Sequence, residues 1–496
     1  MRSTFNPAYM IDAYKIGHRN MFPPNTSRIY SSWTARASRI PGVNKVVLLG
    51  LQAFCKGILE DAFDEWFAIP EDVACAEYER RTNGVLGPNT VGVEHIRALH
   101  RLGYLPLRFY ALPEGTEVPL RVPMFVVENT IDEFAWLTNY IESALSAEIW
   151  LPSTSATLAL RLRRLLDSWA DRTSDTPAFV DWQGHDFSFR GMASIEAAAA
   201  SGAGHLTAFA GTDSMVALDW IERFYPGFSG PVLGGSVPAT EHSVMCAGGE
   251  LSEQATFERL MNLYPTGIIS VVSDTWDLWE VLNSHLPALR EQIMARDGKL
   301  VIRPDSGDPA DILCGDHSLP EDDPARWGVI ELLWRHFGGT VNSKGFRVLD
   351  SHVGAIYGDS ITYDRASDIC ERLAANGYAS TNVVLGVGSY TYQYNTRDTF
   401  GFAMKATWAE VDGVGRDLFK DPRTDNGTKR SARGRLAVIA DENGDLVLIE
   451  QATPEQEDVS LMQPVWENGH SIVTQSWDDV VRRLDVRTDL PELAAV

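Results

Sequence analysis

The chain has 496 residues, and its 67 acidic residues outnumber 43 lysines and arginines to give a net charge of −24, a balance that excludes bulk binding to nucleic acid or to an anionic membrane. With 44% hydrophobic residues, 14 Trp and 20 Phe, it is neither a disordered chain nor a single small domain. Five cysteines without a CxxC pair exclude a disulfide framework, the opening "MRSTFNPAYMIDAYKIGHRN" lacks the apolar core of a signal peptide, and no apolar run reaches the roughly 18 residues that span a bilayer, so a soluble cytoplasmic protein is expected.

The first 150 residues mix short segments with turns such as "FPPNTS", "RIPGVNK" and "ALPEGTEVPLRVP", which predicts an α+β region. "EFAWLTNYIESALSAEIWL" and "SATLALRLRRLLDSWADR" then read as two helices with apolar residues at helical spacing. From about residue 180 the pattern becomes regular: an apolar, strand-like run ends in a polar residue and a helical pattern follows. "HLTAFAGTD" ends at Asp213, "IISVVSD" at Asp274, "KLVIRPDSG" carries Asp305, "VGAIYGD" ends at Asp359, and "NVVLGVGS" closes in a turn at Gly388. The steps from Asp213 to His242, Asp274 and Asp305 are 29, 32 and 31 positions. Those from Asp305 to Asp359 and Gly388 are 54 and 29, the long one holding the insertion "HSLPEDDPARW". A strand with its return helix takes about 30 residues. The expected fold is therefore α/β: an irregular TIM-like βα barrel over 151–394, whose strand ends converge on one face. Strand and hairpin patterns return after about residue 395, with "ENGD" as a turn and "KDPRTDNGTKRSARGR" as a basic loop. Residues 1–150 together with 395–496 are expected to form one discontinuous α+β domain.

Several strand-end residues suit chemistry. In "VIRPDSGDP", Arg303 can hold an anion or stack on a flat ring, Asp305 can hold hydroxyls or a metal, and the Ser-Gly N–H groups suit phosphate; the plain alternative is an ion pair with a helix cap. Asp213 can bind a metal, act as a base or accept from a ligand amide, or simply cap the next helix. "LGVGSY" fits a phosphate cradle or an ordinary tight turn. His242 can be a metal ligand, a base or a nucleophile. Its neighbour Glu241 points elsewhere, which leaves Asp274 or another strand-end acid to orient the ring. "HDFSFRG" offers Phe187, by default core, and Arg190; "DAYKIGHRN" offers Asp12 and Tyr14, by default a solvated face.

Taken together, "DAYKIGH", "PPNTSRIYSS", "HDFSFRG", "GTDS", "SVPATEHS", "SVVSDTWD", "VIRPDSGDP", "NSKGF", "YGDS", "TRD", "FKDP" and "KRSARGR" resemble, in order and from about residue 8 to 480, the nicotinamide phosphoribosyltransferase family of type II phosphoribosyltransferases. The resemblance implies that nicotinamide and phosphoribosyl pyrophosphate give nicotinamide mononucleotide and pyrophosphate, in NAD salvage, with Mg²⁺. It also implies that ATP is a coupled co-substrate, hydrolysed through a phosphorylated histidine that falls on His242, and that the enzyme is a homodimer with shared active sites. Carried over by motif, Phe187 and Tyr14 of the other subunit sandwich the nicotinamide ring, and Asp213 accepts from its carboxamide. Arg303 lies at ring and ribose, Asp305 holds ribose hydroxyls, and Asp274 and Asp359 fall near the ribose and His242. Arg190, Gly388 and Ser389 line the phosphate region, with Arg36, Arg397, Lys405 and Lys420 expected from the second subunit. Asp12, Ser270 and Gly358 join the substrate-binding set. Glu241 joins His242, Asp274 and Asp305 in the catalytic one. No metal ligand is assigned. Two departures stand out: Ser389 occupies a position where the family has glycine, and the loop before Lys429 is slightly longer.

No base is needed in such a reaction, because the pyridine nitrogen already carries a lone pair. Catalysis then rests on positioning that nitrogen and neutralising the departing pyrophosphate. The nearest rival is a nicotinate or quinolinate phosphoribosyltransferase. A metal-dependent hydrolase would need several histidines, and the other strand ends supply none.

Overall fold

The computed structural model of the chain describes residues 5–88, 91–230, 232–358, 360–419 and 431–484. Asp359, Lys420 and Lys429 lie outside the described residues. The chain divides into two compact units. One comprises the described residues up to Thr154, with Ile221–Phe228 and Asn395–Leu484; the other comprises Ser155–Trp220 and Ser229–Tyr394.

The first unit is built on a seven-stranded antiparallel sheet in the order Val414–Asp417, Ala403–Val411, Thr26–Thr34, Pro123–Asn129, Leu107–Ala111, Gln463–Glu467, His470–Ser471. Early and late parts of the chain thus share one sheet. Pro123–Asn129 is buried along its whole length, as suits a central strand covered on both faces, whereas Leu107–Ala111 alternates buried and half-buried residues. Trp33 stacks between Phe125 and Phe402, at centroid distances of 6.1 and 5.5 Å. Ile221–Phe228 is tied in by buried polar contacts: Gln52 Nε2 donates to the Phe224 carbonyl at 2.6 Å, and the Tyr225 hydroxyl donates to Glu114 at 2.5 Å.

The break between the two helices expected before residue 173 falls earlier than the sequence suggests, after the short helix Leu137–Tyr140. Glu142–Thr173 runs unbroken for 32 residues with Pro152 inside it. A proline removes one donor from the ladder. Just beyond it, Thr154 Oγ1 bonds back to the Trp150 carbonyl at 2.7 Å, and the helix continues.

The second unit holds a curled, six-stranded parallel sheet in the order Gly211–Thr212, Gly184–Asp186, Val383–Val387, Val353–Tyr357, Asp297–Arg303, Thr266–Val272. Two isolated parallel bridges, Gly211 to Gly235 and Ala239 to Ser270, connect its edges through the segment 234–240. The barrel is therefore irregular at this seam. Pro238 has no N–H to give to a ladder, and Gly234 and Gly235 carry no side chain to pack, so a regular strand does not form before His242. The run "HLTAFAGTD" also differs from expectation. His205 and Leu206 end the alanine-rich helix Ile195–Leu206, capped by Ser194 accepting from Ala197 N, and only Gly211–Thr212 is extended.

Along the strands, alternation sorts the side chains. Ile269, Val271, Leu300, Ile302, Val353 and Leu385 enter the apolar core, while Ile268, Ser270, Lys299, Val301 and Arg303 line a cavity inside the barrel. One acid lies apart from that cavity. Glu253, at the start of helix Glu253–Leu263, is buried, and burial, followed by the charges of Asp277 and Glu250, pushes its carboxyl up to about 7. The folded chain therefore keeps a proton that the unfolded chain has lost above its ordinary value. Stability contributed by this group is present at low pH and falls as pH rises through the window up to about 7. Glu253→Gln should melt about 3 °C above the parent at pH 8 and together with it at pH 4.5, by differential scanning calorimetry.

Candidate active site

Parallel strands deliver their carboxyl ends to one face, and the site follows from that rule. The cavity there encloses about 100 Å³. His185, Phe187, Asp213, Ser236, Ser270 and Arg303 all contribute to its wall. Phe187 follows the strand Gly184–Asp186, and its N–H donates to the Val387 carbonyl at 2.9 Å. Its ring lies against Gly386, where a Cβ would sit 2.7 Å from a ring carbon, so that neighbour must be small. The Arg303 guanidinium lies 5.6 Å from the centre of the Phe187 ring. Together they offer one aromatic face and one delocalised cation to a flat ligand.

Asp213 follows Gly211–Thr212. His185 Nε2 meets its Oδ1 at 3.1 Å, and the Ser236 hydroxyl donates to the same oxygen. Burial works to raise the Asp213 pKa, but the hydrogen bond and charge of His185, the hydrogen bond from Ser236 and the charge of Arg303 outweigh it and hold the carboxyl below the usual range. An ionised acceptor thus stands beside the ring of Phe187. Ser270 is buried in the cavity wall, and its hydroxyl has no hydrogen-bond partner among the described residues.

A second cluster brings together His242, Asp274 and Asp305. His242 opens the short helix His242–Cys246 and is half-exposed. Its Nδ1 lies 3.1 Å from Thr275 Oγ1 and its Nε2 3.3 Å from Asp305 Oδ1, with Asp274 Oδ1 at 3.9 Å. Glu241 turns its carboxylate to the Ser243 hydroxyl instead. Asp274 Oδ2 accepts from the N–H groups of Asp305 and Ser306, at 2.8 and 2.9 Å, and from the Ser306 hydroxyl. This corrects one expectation. The Ser306 N–H is engaged by Asp274, and the following helix, Pro309–Cys314, is capped by Asp308, so the turn has no open backbone cradle at Ser306. Ligand atoms of His242, Asp274 and Asp305 lie within 4.8 Å of one another. Asp274 Oδ1 is buried without a hydrogen-bond partner, and two carboxylate oxygens suit a hard divalent cation such as Mg²⁺.

Arg190 is exposed on the turn Phe189–Gly191. That turn lies against Ser389: a Cβ on Gly191 would fall 2.0 Å from the Ser389 hydroxyl. Gly388 has φ −95° and caps the helical turn Ser389–Tyr392, and neither residue has a positive φ, so the serine in place of glycine carries no backbone strain. Gly358 donates to the Pro304 carbonyl at 3.0 Å, placing it beside Arg303 and Asp305.

In the first unit, Tyr14 is 65% exposed, and Asp12 is held by Ser143 through N–H to Oγ at 3.0 Å and Oγ to Oδ2 at 2.6 Å. Arg36 donates to the Gly401 carbonyl at 3.0 Å, and Arg397 lies 3.6 Å from Asp398. Burial pushes the Lys405 ammonium down; Glu142 opposes this, and Arg36, Lys15 and Arg397 add to it. Four cations thus gather in an otherwise acidic chain.

Sequence reading missed His185, Ser236 and Thr275. The usable signal for His185 was strand alternation, which turns positions 185 and 187 to the same side.

A family model described as the nicotinate phosphoribosyltransferase family matches residues 182–470, and one described as the nicotinamide phosphoribosyltransferase N-terminal domain matches residues 6–63. Among solved structures, the fold is shared with a nicotinate-nucleotide pyrophosphorylase from Pyrococcus furiosus (TM-score 0.57, 15% identity, 98% of this chain and 95% of that one). It is also shared with human nicotinic acid phosphoribosyltransferase (TM-score 0.52, 16% identity, 96% and 93%). A nicotinamide phosphoribosyltransferase of Acinetobacter baylyi is 49% identical over 98% of each chain, and one of Mycoplasma pneumoniae is 37% identical over 86% of this chain and 94% of its own. With a barrel of this type and relatives matched along nearly its whole length, the chain belongs to the nicotinamide phosphoribosyltransferase family.

Proposed function

We propose that this chain joins nicotinamide to phosphoribosyl pyrophosphate, giving nicotinamide mononucleotide and pyrophosphate in NAD salvage. The observation that carries the reading is the ionised Asp213 beside Phe187 and Arg303. A carboxylate accepts from the NH₂ of a carboxamide and repels the carboxylate of nicotinate or quinolinate, which disfavours the nearest rival activity. Phe187 stacks on the pyridine ring. Asp305, with Arg303 and Gly358 beside it, binds the ribose, and Arg190 with the Gly388–Ser389 turn receives phosphate. The pyridine nitrogen attacks C1 of the ribose as the bond to pyrophosphate breaks, and charge builds on both leaving group and sugar. The chain's contribution is orientation of the ring nitrogen and cationic stabilisation of the departing group. Asp274 and Asp305 would hold Mg²⁺, which would supply further neutralisation of pyrophosphate.

His242 accepts a phosphoryl group from ATP, whose hydrolysis is the coupled reaction. Tyr14, Arg36, Arg397, Lys405 and Lys420 act from a second copy of the chain, in a homodimer: Tyr14 stacks on the pyridine face opposite Phe187, and the positive charge of the other four suits the phosphates. The work is cytoplasmic and needs neither membrane nor nucleic acid; among the described residues no helix is long and apolar enough to cross a membrane. Asp213→Asn tests the assignment. In competition kinetics with both pyridines, the preference for nicotinamide over nicotinic acid should fall about tenfold or more, because an amide side chain no longer repels the acid. An unchanged preference would overturn the reading.

A further inference from the structure

Two donors converge on a single oxygen of Asp213. His185 Nε2 lies 3.1 Å from Oδ1, and Ser236 Oγ donates to Oδ1 as well. Oδ2 accepts no hydrogen bond among the described residues, and the carboxylate remains 44% exposed. One oxygen is therefore anchored and the other left for a ligand. The anchor is set by register. His185 pairs with Gly211 across the parallel ladder, so its ring stands directly beside the residue that follows Thr212. Gly211 has to be this small: a Cβ there would lie 2.8 Å from His185 Nδ1. The same imidazole packs on Phe187, with ring centroids 4.6 Å apart and planes at 41°. His185 is also buried, so its side of the Asp213 bond is shielded from water.

We infer that His185 is the positioning residue of the pyridine subsite: it holds the Asp213 carboxylate and the Phe187 ring in register, and so sets affinity for the carboxamide. The inference rests on the role of Asp213 proposed above. His185 needs only a proton on Nε2, not a positive charge, to do this. It touches no reacting atom, so its loss should move nicotinamide binding and leave the transfer step alone.

The test compares His185→Leu, which keeps bulk and removes the donor, with His185→Gln, whose amide N–H reaches to about the position of Nε2. The Leu variant should raise KM for nicotinamide about tenfold, with kcat and KM for phosphoribosyl pyrophosphate within about twofold of the parent. The Gln variant should recover to within about threefold. In an Asp213→Asn background, His185→Leu should add less than about twofold, since the two residues act as one unit. A Leu variant with unchanged KM, a Gln variant as impaired as Leu, or independent effects in the double variant would each sink the positioning role. If His185→Leu does not fold, His185→Met, which also fills the space without an N–H donor, carries the same test, with a rise of about tenfold expected and no rise counting against the idea. Failure of the Asp213 reading is distinguishable. There, Asp213→Asn itself leaves pyridine preference intact; here, Asp213→Asn abolishes the preference while the His185 variants are silent.

Discussion

His242→Ala is expected to abolish acid-labile incorporation of label from [γ-³²P]ATP and to bring ATP hydrolysis down to the no-enzyme background. The reason is local. The imidazole is half-exposed, so a nucleotide can reach it, and Thr275 and Asp305 flank its two nitrogens at 3.1 and 3.3 Å, which fixes the plane of the ring. In the proposed phosphorylation, an imidazole lone pair would form the N–P bond as the bond from phosphorus to the ADP oxygen breaks. Alanine offers no lone pair, and Glu241, turned to Ser243, is not placed to substitute. Among the described residues, no hydrogen bond joins His242 to Phe187, Asp213 or Arg303. Nucleotide formation should therefore continue in the variant but lose its response to ATP. Label retained by His242→Ala would remove the histidine from the coupling step, while a variant that still responds to ATP without label would remove the covalent route.

Asp274→Ala should cost about 100- to 1000-fold in kcat/KM for phosphoribosyl pyrophosphate. Asp274 is the clamp of the "RPDSG" turn: one of its oxygens collects the Asp305 N–H, the Ser306 N–H and the Ser306 hydroxyl. Removing it strands two backbone donors and frees the turn that carries Asp305. A displacement of about 1 Å at such a site is enough for a hundredfold loss. Each stranded donor that stays buried costs about 1–3 kcal/mol, so a lower melting temperature should accompany the loss. Asp274→Asn keeps an acceptor oxygen toward the same donors and gives up the charge, so it should fall between parent and Ala. Steady-state kinetics with all three proteins decides it, and an Ala variant within about threefold of the parent would contradict the clamp.

The barrel was legible because parallel strands impose a repeat. Asp213, His242, Asp274 and Asp305 follow one another at steps of 29, 32 and 31 positions, and such strand ends can converge only if each strand is followed by a returning helix. What escaped depended on chemistry that periodicity does not encode. The residues before His242 follow the spacing of a strand, yet Gly234, Gly235 and Pro238 cannot sustain a ladder, and only two isolated bridges form. "HLTAFAGTD" reads as extended, but its first residues complete a helix whose alanines favour that state over a strand. The segments read as two helices either side of residue 152 belong in large part to one helix, which runs through Pro152. His185 escaped for another reason. A single histidine beside an aspartate and a phenylalanine is ordinary core composition, and its use depends on pairing with Gly211, a relation that appears only once the strands are aligned. Thr275 and Ser236 are short polar residues next to conspicuous ones, and they acquire meaning only from the distances they keep.

The alternation along Thr266–Val272 and Asp297–Arg303 has a practical consequence for altering the protein. Neighbouring positions answer to different demands: Ile269, Val271, Leu300 and Ile302 keep the barrel together, and Ile268, Ser270, Lys299 and Val301 shape its lumen. On the proposed reading, variation confined to the second group should retune which pyridine analogues the lumen admits and should lower the melting temperature less than variation in the first. The two strands thus work as a print and its margin, in which the text can be reset without recutting the page.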